Sequence, residues 1–294
     1  MPELPEVETV RAGLSRLIIG KNIISVDFDT PKSFPNTQTD IDAFLLNTHF
    51  ISVRRRGKVL MLDLSSGYSL MIHLKMTGQL VYRGEESFGA GHPNDSLIGE
   101  LPDKSTRVTL KFAQGGVLFF NDQRKFGWAR LLPTAIISQE PFMMKLGPEP
   151  LEDSFTYDRF ISQLKRRQNT TIKAALLDQT VLAGIGNIYA DESLFAAKIH
   201  PQSIVKCVPQ AKLRLLHGAI KKILLFSIEK GGSTDRNYVN AEGKRGSYID
   251  FAKVFRKENM PCPVCQHEII KLRVAGRGTH VCKYCQKLYK EKIK

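Results

Sequence analysis

The apolar residues of this chain change their period near the middle, and that change restricts the fold to two unlike halves. Up to about residue 130, β-branched and aromatic residues alternate in NIISVDFD, HFISVRRRGKVLMLDLSS, YSLMIHLKMTGQLVY and TRVTLKFAQGGVLFFNDQ, separated by turn sequences such as SSGY and AQGG. Alternation of period two places every second side chain on one face of a strand, so this half reads as an antiparallel sandwich or barrel. From about residue 154 the apolar spacing becomes three and four in DRFISQLKRR, TIKAALLDQ, NIYADESLFAAKI and VPQAKLRLLHGAIKKILLFSIEKGG, which predicts a small helical bundle. The expected organisation is an α+β multidomain chain: an N-terminal domain over 1–132, a linker over 133–150, a helical domain over 151–230, and a Gly-rich loop with a cysteine cluster over 231–294. Residues 84–104, GEESFGAGHPNDSLIGELPDK, are expected to be a long polar loop.

The first eleven residues, MPELPEVETVR, form a helix start of an unusual kind. Pro5 suits the first helical position because its missing N–H has no partner there, so a helix is expected from about residue 5, and Glu6 and Glu8 complement the positive end of its dipole. Val7, Val10, Leu14, Leu17 and Ile18 give one apolar stripe, and Gly20 predicts the stop. Pro2 and Glu3 are then held just outside a buried helix, where helix chemistry alone gives them no purpose.

Charge separates the halves further. Residues 1–150 hold 17 Lys and Arg against 16 Asp and Glu, whereas 151–294 hold 26 against 13, so nearly all of the formal charge of +14 lies in the second half. One-sided basicity favours a polyanion, most often nucleic acid, although solubility or an anionic membrane surface gives the same balance. No apolar run approaches the roughly 18 residues of a bilayer span, and the N-terminus lacks a basic start followed by an apolar segment; a cytoplasmic protein is expected.

Four of the five cysteines fall in two knuckles, Cys262-Pro-Val-Cys265 and Cys282-Lys-Tyr-Cys285. Paired C-x-x-C knuckles at this separation suit tetrahedral thiolate ligation of one structural zinc ion; redox dithiols are disfavoured in a reducing compartment. Cys207 stands apart and reads as a small buried hydrophobe. Between the knuckles, VAGRGTH flanks Arg277 with glycines, which suits either a solvated turn or a guanidinium held out towards phosphate. Gly184-Ile185-Gly186 lacks the strand, the third glycine and the βαβ setting of a dinucleotide site. What remains is helix, two-glycine turn, helix, with Asn187 at a start where free N–H groups can hold a phosphate; a plain connection is the alternative.

Taken together, MPELPEVETVR, RRRGK at 54–58, HLKMTG at 73–78, NDQRKFG at 121–127, LAGIGNIYADESLFAAKIHP at 182–201 and VAGRGTHVCKYCQ at 274–286 resemble the bacterial formamidopyrimidine-DNA glycosylases. The resemblance implies an N-terminal β-sandwich, a helix-two-turn-helix bundle and a C-terminal zinc ribbon, with damaged duplex DNA as partner and a monomeric enzyme. It implies excision of oxidised purines (8-oxoguanine and formamidopyrimidines) followed by strand cleavage at the abasic site. Once Met1 is removed, Pro2 would be the nucleophile, a secondary amine whose adduct with the sugar is an iminium that cannot lose its charge by dropping an N–H proton. Glu3 would be its acid partner and Glu6 an orienting residue. Lys58 and Arg277 would complete the catalytic set.

The same resemblance implies that Met76, Arg124 and Phe126 fill the hole left by an extruded base, the last two sharing one face of a strand. Lys173 and Asn187 would contact the DNA, and Ser233 and Tyr238 would belong to a lid over 231–247. The chain departs from the family pattern at Lys104-Ser105-Thr106-Arg107, where many relatives carry a phosphate-contacting His; Arg107 is the expected substitute. Asp235 and Asn237 also depart, within the lid. Two other readings explain part of the sequence: the sister group acting on oxidised pyrimidines, and a zinc-ribbon DNA-binding protein without catalysis.

Overall fold

The computed structural model describes residues 1–92, 94–233 and 248–291. The chain divides into two compact units: Met1–Met144 joined by residues 230–233, and Lys145–Glu229 joined by residues 248–291. The first unit opens with α1 (Leu4–Leu17), β1 (Ile23–Phe28) and α2 (Gln38–Phe44), followed by β2 (Phe50–Arg56), β3 (Val59–Leu64), β4 (Tyr68–His73), β5 (Gly78–Arg83), β6 (Ser87–Gly91), β7 (Thr106–Phe112), β8 (Val117–Asp122) and β9 (Trp128–Pro133). The strands form two antiparallel sheets, ordered β1-β7-β8-β5-β6 and β2-β3-β4-β9. Their inward residues, among them Leu60, Leu62, Leu70, Ile72, Leu80, Leu110, Leu118 and Phe120, make one apolar core, as expected of a sandwich whose sheets each bury one face.

The stripe predicted for α1 is the buried one: Val7, Val10, Leu14 and Ile18 join the same core. The helix begins one residue earlier than expected, at Leu4, with Glu3 as its N-cap. Residues 84–104 are not simply a loop. Phe88 and Ala90 are buried, and Ser87–Gly91 pairs with β5 as the outermost strand of the larger sheet. The composition hid this strand because only those two of its five residues carry apolar side chains. The predicted linker also differs. Thr134–Gln139 forms a 3-10 turn, α3 (Pro141–Met144) follows, and Ile137 is buried with Val59, Met61 and Met71 of the smaller sheet.

The second unit contains α4 (Tyr157–Lys165), α5 (Ile172–Leu177), α6 (Asn187–Ala196), α7 (Gln210–Glu229), α8 (Tyr248–Phe251) and the hairpin of β10 (Ile270–Val274) and β11 (Arg277–Val281). Thr156 and Thr171 cap α4 and α5 by accepting hydrogen bonds from Arg159 and Ala174 N–H, which satisfies donors otherwise orphaned at a helix start. At 20 residues α7 is the longest described helix, and no helix among the described residues is long and apolar enough to cross a membrane.

The ribbon at the end of this unit has almost no apolar core of its own. Its buried cluster consists of Phe195, Val254 and Ile269 with the cysteines themselves. All four thiol sulfurs lie within 4.8 Å of one another, with Cys265–Cys282 at 3.4 Å and Cys262–Cys285 at 3.8 Å. A zinc–sulfur tetrahedron with bonds of about 2.3 Å has edges of about 3.8 Å, so one ion fits the cluster. Burial and the neighbouring thiols push the Cys282 and Cys285 protons towards retention, whereas the His267 N–H beside Cys265 brings that thiol down to about 6. Chelation of the metal should therefore unfold the ribbon while the sandwich persists. Proteolysis after chelator treatment should cut within 255–290 and leave residues 1–144 intact; a ribbon that stays resistant without metal contradicts this.

His73, at the end of β4, makes a second prediction. Burial, followed by the charges of Lys75 and Lys58, holds its imidazole down to about 3. The unfolded chain binds this proton below about 6.5 and the folded chain only near 3, so stability is full above 6.5 and is lost as pH falls from there towards 3. His73→Gln should flatten the stability profile between pH 6.5 and 4 by up to about 1.4 kcal/mol per pH unit. An unchanged slope in urea titrations across that range contradicts the buried neutral imidazole.

Candidate active site and nucleic-acid interface

The start of α1 is built around one carboxylate. Pro2 and Glu3 are buried rather than frayed. Glu6, itself buried, accepts the Glu3 N–H at 2.7 Å, closing a capping box across the first turn. Its other oxygen accepts both the N–H (2.7 Å) and the hydroxyl (2.8 Å) of Ser233. Gly231 and Gly232 have φ of +75° and +86°, and a Cβ at 232 would stand 3.2 Å from Glu6. The two glycines thus let the chain bend closely against the carboxylate and deliver Ser233. Ser233 lies beside the chain terminus, and Tyr238 lies outside the described residues.

Lys58 is buried where the β2–β3 hairpin turns back. Its turn is tied to α1 by Arg55, whose guanidinium donates to Glu8 at 2.8 Å and to the Gly57 carbonyl at 3.0 Å. Gly57 has φ +57°, a conformation that costs a side-chain-bearing residue. The Arg55–Glu8 tie, which holds the Lys58 turn to α1, is one that sequence reasoning missed. Their opposite charges in RRRGK and PEVETVR carried a signal, but nothing local pairs residues 47 positions apart.

Asp122 is the other residue missed. Its carboxylate receives the Thr77 hydroxyl and the N–H groups of Arg124 (3.2 Å), Phe126 (2.8 Å) and Gly127 (2.6 Å). One buried acid therefore fixes two turns together, the KMTG turn carrying half-buried Met76 and the QRKFG turn carrying exposed Arg124 and Phe126. Arg124 and Phe126 do not share a strand face as expected, because they lie in the turn between β8 and β9. The Arg124 guanidinium instead sits 4.7 Å over the Phe126 ring, a cation–π contact at an exposed tip.

Arg107 is corrected by its partners. Its guanidinium donates to Asp29 at 2.5 Å, to the Asp122 carbonyl at 2.8 Å and to the Lys104 carbonyl at 2.6 Å, and the residue is buried. Desolvation of Asp29 is outweighed by Arg107 together with Ser33 and Lys125, and its carboxyl stays below the usual range. Three of its donors are thus committed inside the unit, which gives Arg107 a bracing role there rather than the exposed position expected of a phosphate contact.

In the second unit the two-glycine turn is held by Gln179. Its side chain accepts the Gly184 N–H at 2.9 Å and donates to the Ile185 carbonyl at 2.8 Å, and Gly184 takes φ +87°. Asn187, first residue of α6, donates to the Gly278 carbonyl at 3.0 Å, while its Oδ1 has no partner among the described residues. Lys173, expected as a DNA contact, is fully buried. Its ammonium meets Asp191 at 2.6 Å, Thr279 Oγ1 at 2.7 Å and the Gly278 carbonyl at 3.3 Å. Asp191 also accepts the His280 N–H at 2.9 Å.

Lys173 is therefore a strut under the β10–β11 hairpin, not an outward-facing contact. The hairpin turns through Ala275 and Gly276, both at positive φ, as a two-residue turn requires, and leaves Arg277 exposed at the first position of β11. A second buried acid, Glu192, accepts the N–H groups of Lys253, Val254 and Phe255, each at 2.9 Å, and its burial raises its proton affinity despite those donors.

The chain matches known proteins along most of its length. The family model for the N-terminal domain of formamidopyrimidine-DNA glycosylase matches residues 1–129, that for its H2TH domain matches 146–238, and that for the zinc finger found in FPG and IleRS matches 261–288. The formamidopyrimidine-DNA glycosylase of Streptococcus pyogenes serotype M18 is 41% identical over 291 residues, covering 98% of this chain and 99% of its own. That of Desulforamulus reducens is 39% identical over 290 residues, with the same coverage. Among solved structures, the complex between Lactococcus lactis Fpg and an abasic site containing DNA superposes with a TM-score of 0.85 at 35% identity, covering 97% of this chain and 99% of that one. The MutM (FPG) protein of Thermus thermophilus superposes at 0.82 with 35% identity, covering 97% and 98%. With models spanning most of its length and relatives alike from end to end, the chain belongs to the formamidopyrimidine-DNA glycosylase family.

Proposed function

We propose that the protein excises oxidised purines, 8-oxoguanine and formamidopyrimidines, from duplex DNA through the amine of Pro2, and then cleaves the abasic strand by β- and δ-elimination. It is a DNA glycosylase by family, and the lyase step follows from the same amine chemistry. The observation that carries the reading is the buried Pro2-Glu3 terminus of α1, with the Lys58 hairpin strapped to that helix by Arg55 and Glu8. The relatives support the substrate: Lactococcus lactis Fpg has been solved with N7-benzyl-Fapy-dG and with abasic-site DNA, and a mutant of it with Fapy-dG.

In this mechanism removal of Met1 exposes a secondary amine with a pKa of about 8, neutral in part near neutral pH. Its lone pair attacks the sugar C1′, and the bond to the damaged base breaks with its electrons leaving on the base. The nitrogen then gives up its remaining proton as Glu3 protonates the sugar ring oxygen, and the C1′–oxygen bond breaks to leave the C1′–nitrogen iminium. The iminium has no N–H proton to lose, so it persists as an electron sink, acidifies the neighbouring sugar C–H, and lets both phosphates depart in turn. Lys58 steadies the phosphate beside the lesion during these eliminations.

An extruded base leaves a gap in the stack. Met76 and Phe126 fill it from the two turns that Asp122 joins, and the Arg124 guanidinium meets the hydrogen-bonding edge of the orphaned base. Arg277 and Asn187, with the N–H groups at the start of α6, hold phosphates from the second unit, and Ser233 and Tyr238 cover the extruded base. The zinc ion, held by Cys262, Cys265, Cys282 and Cys285, is structural. The enzyme acts as a monomer in the cytoplasm, on the nucleoid.

Two outcomes are expected. Excision of 8-oxoguanine opposite cytosine should exceed that of thymine glycol by at least about tenfold in kcat/KM, which corresponds to about 1.4 kcal/mol of discrimination; the reverse order assigns the chain to oxidised pyrimidines. Lys58→Ala should slow strand cleavage at a preformed abasic site by about 100-fold with the protein still folded. Cleavage at the unaltered rate removes Lys58 from the mechanism.

A further inference from the structure

β6 lies antiparallel to α1 in a fixed register. Arg16 pairs with Glu86 at 2.5 Å, and three residues earlier Gly13 packs so closely against the Phe88 ring that a Cβ there would collide with it. A helix rises about 1.5 Å per residue and a strand about 3.3 Å. The helix from Arg16 back to Leu4 therefore covers about 18 Å and the chain from Glu86 on to His92 about 20 Å, which carries His92 to the N-terminal end of α1.

The backbone at His92 is pinned on both sides. Gly91, at φ +127°, passes so close to Gly78 that a Cβ would collide with its carbonyl oxygen. The His92 N–H donates to that same carbonyl at 3.0 Å. The amide of Gln79, itself fully buried, donates to the His92 carbonyl and, at 2.6 Å, to Asn94 Oδ1. The imidazole is half-buried, and neither ring nitrogen has a hydrogen bond among the described residues. Burial first, then the charge of the terminal amine, lowers its basicity, while Asp122 opposes them. These are the charged groups that face it; β5 presents only the neutral Gln79. Its lowered basicity favours the neutral form that can accept a proton, and the register of β6 on α1 carries it to the helix end that Pro2 precedes.

We propose that His92 is a further catalytic residue, which accepts the proton that the Pro2 ammonium must lose before it attacks C1′. The step rests on the terminal-amine reading and balances without a co-reactant. The N–H bond breaks, its proton passes to the imidazole, and the freed pair forms the N–C1′ bond. The C1′–base pair leaves on the base, which takes a proton from solvent as the imidazolium returns one.

The test is single-turnover trapping with cyanoborohydride on 8-oxoguanine and abasic duplexes, using the full chain lacking Met1, as wild type, His92→Ala and His92→Gln. Both variants should form the Pro2 adduct at least about tenfold more slowly at pH 7 and bind an abasic-analogue duplex within about twofold of wild type. Added imidazole should restore part of the His92→Ala rate, and the deficit should narrow near pH 9.5, where the amine sheds its proton unaided. Variants that trap at the wild-type rate, or a deficit that neither imidazole nor pH relieves, would overturn the role of His92 while leaving a wild-type Pro2 adduct intact. Absence of that adduct in wild type would overturn the terminal-amine reading, and this inference with it.

Discussion

The Glu6 carboxylate is the joint on which the ordered N-terminus of this protein depends. A chain terminus ordinarily frays, since nothing offsets the entropy of ordering it. Here one buried acid accepts the Glu3 N–H and both donors of Ser233, so the first turn of α1 and the beginning of the 231–247 segment share an anchor. A charge-assisted bond is worth roughly twice a neutral one, and Glu6 sits at the positive end of its own helix, where a carboxylate is favoured. The Arg55–Glu8 pair repeats the logic two residues further on by holding the Lys58 hairpin to the same helix.

The second unit solves a related problem with a buried cation. Lys173 and Asp191 are both fully buried and 2.6 Å apart. Removing one partner of such a pair leaves an uncompensated charge and costs about 3–5 kcal/mol. Their remaining valences go to Thr279, the Gly278 carbonyl and the His280 N–H, all within the hairpin that carries Arg277. The metal fixes the knuckles from one side and this ion pair fixes the turn from the other. An exposed guanidinium is then presented by a scaffold too small to have a core of its own.

Much of this was legible in the sequence because the signals are local. Period-two alternation marked the strands of both sheets, the stripe of Val7, Val10 and Leu14 marked α1, and two C-x-x-C knuckles marked the metal site. What was not legible depends on partners far along the chain. The 84–104 stretch has the composition of a loop, yet Phe88 finds a place against Gly13 and the segment becomes a strand. Arg107 and Lys173 look like phosphate ligands when only their charge is considered. Burial beside Asp29 and Asp191 turns both inward, and long-range ion pairs leave no periodic trace. Asp122 escaped notice for the same reason: a lone acid before QRKFG gives no hint that two turns converge on it.

The account stands on a free secondary amine at Pro2 that becomes bonded to the sugar of the excised nucleotide. The most direct measurement is borohydride reduction during reaction with an 8-oxoguanine duplex, followed by intact-mass analysis and peptide mapping of the protein–DNA adduct. The account predicts a protein lacking Met1, with the DNA-derived mass on the peptide that begins at Pro2. An adduct on any lysine, or active protein that retains Met1, would contradict it.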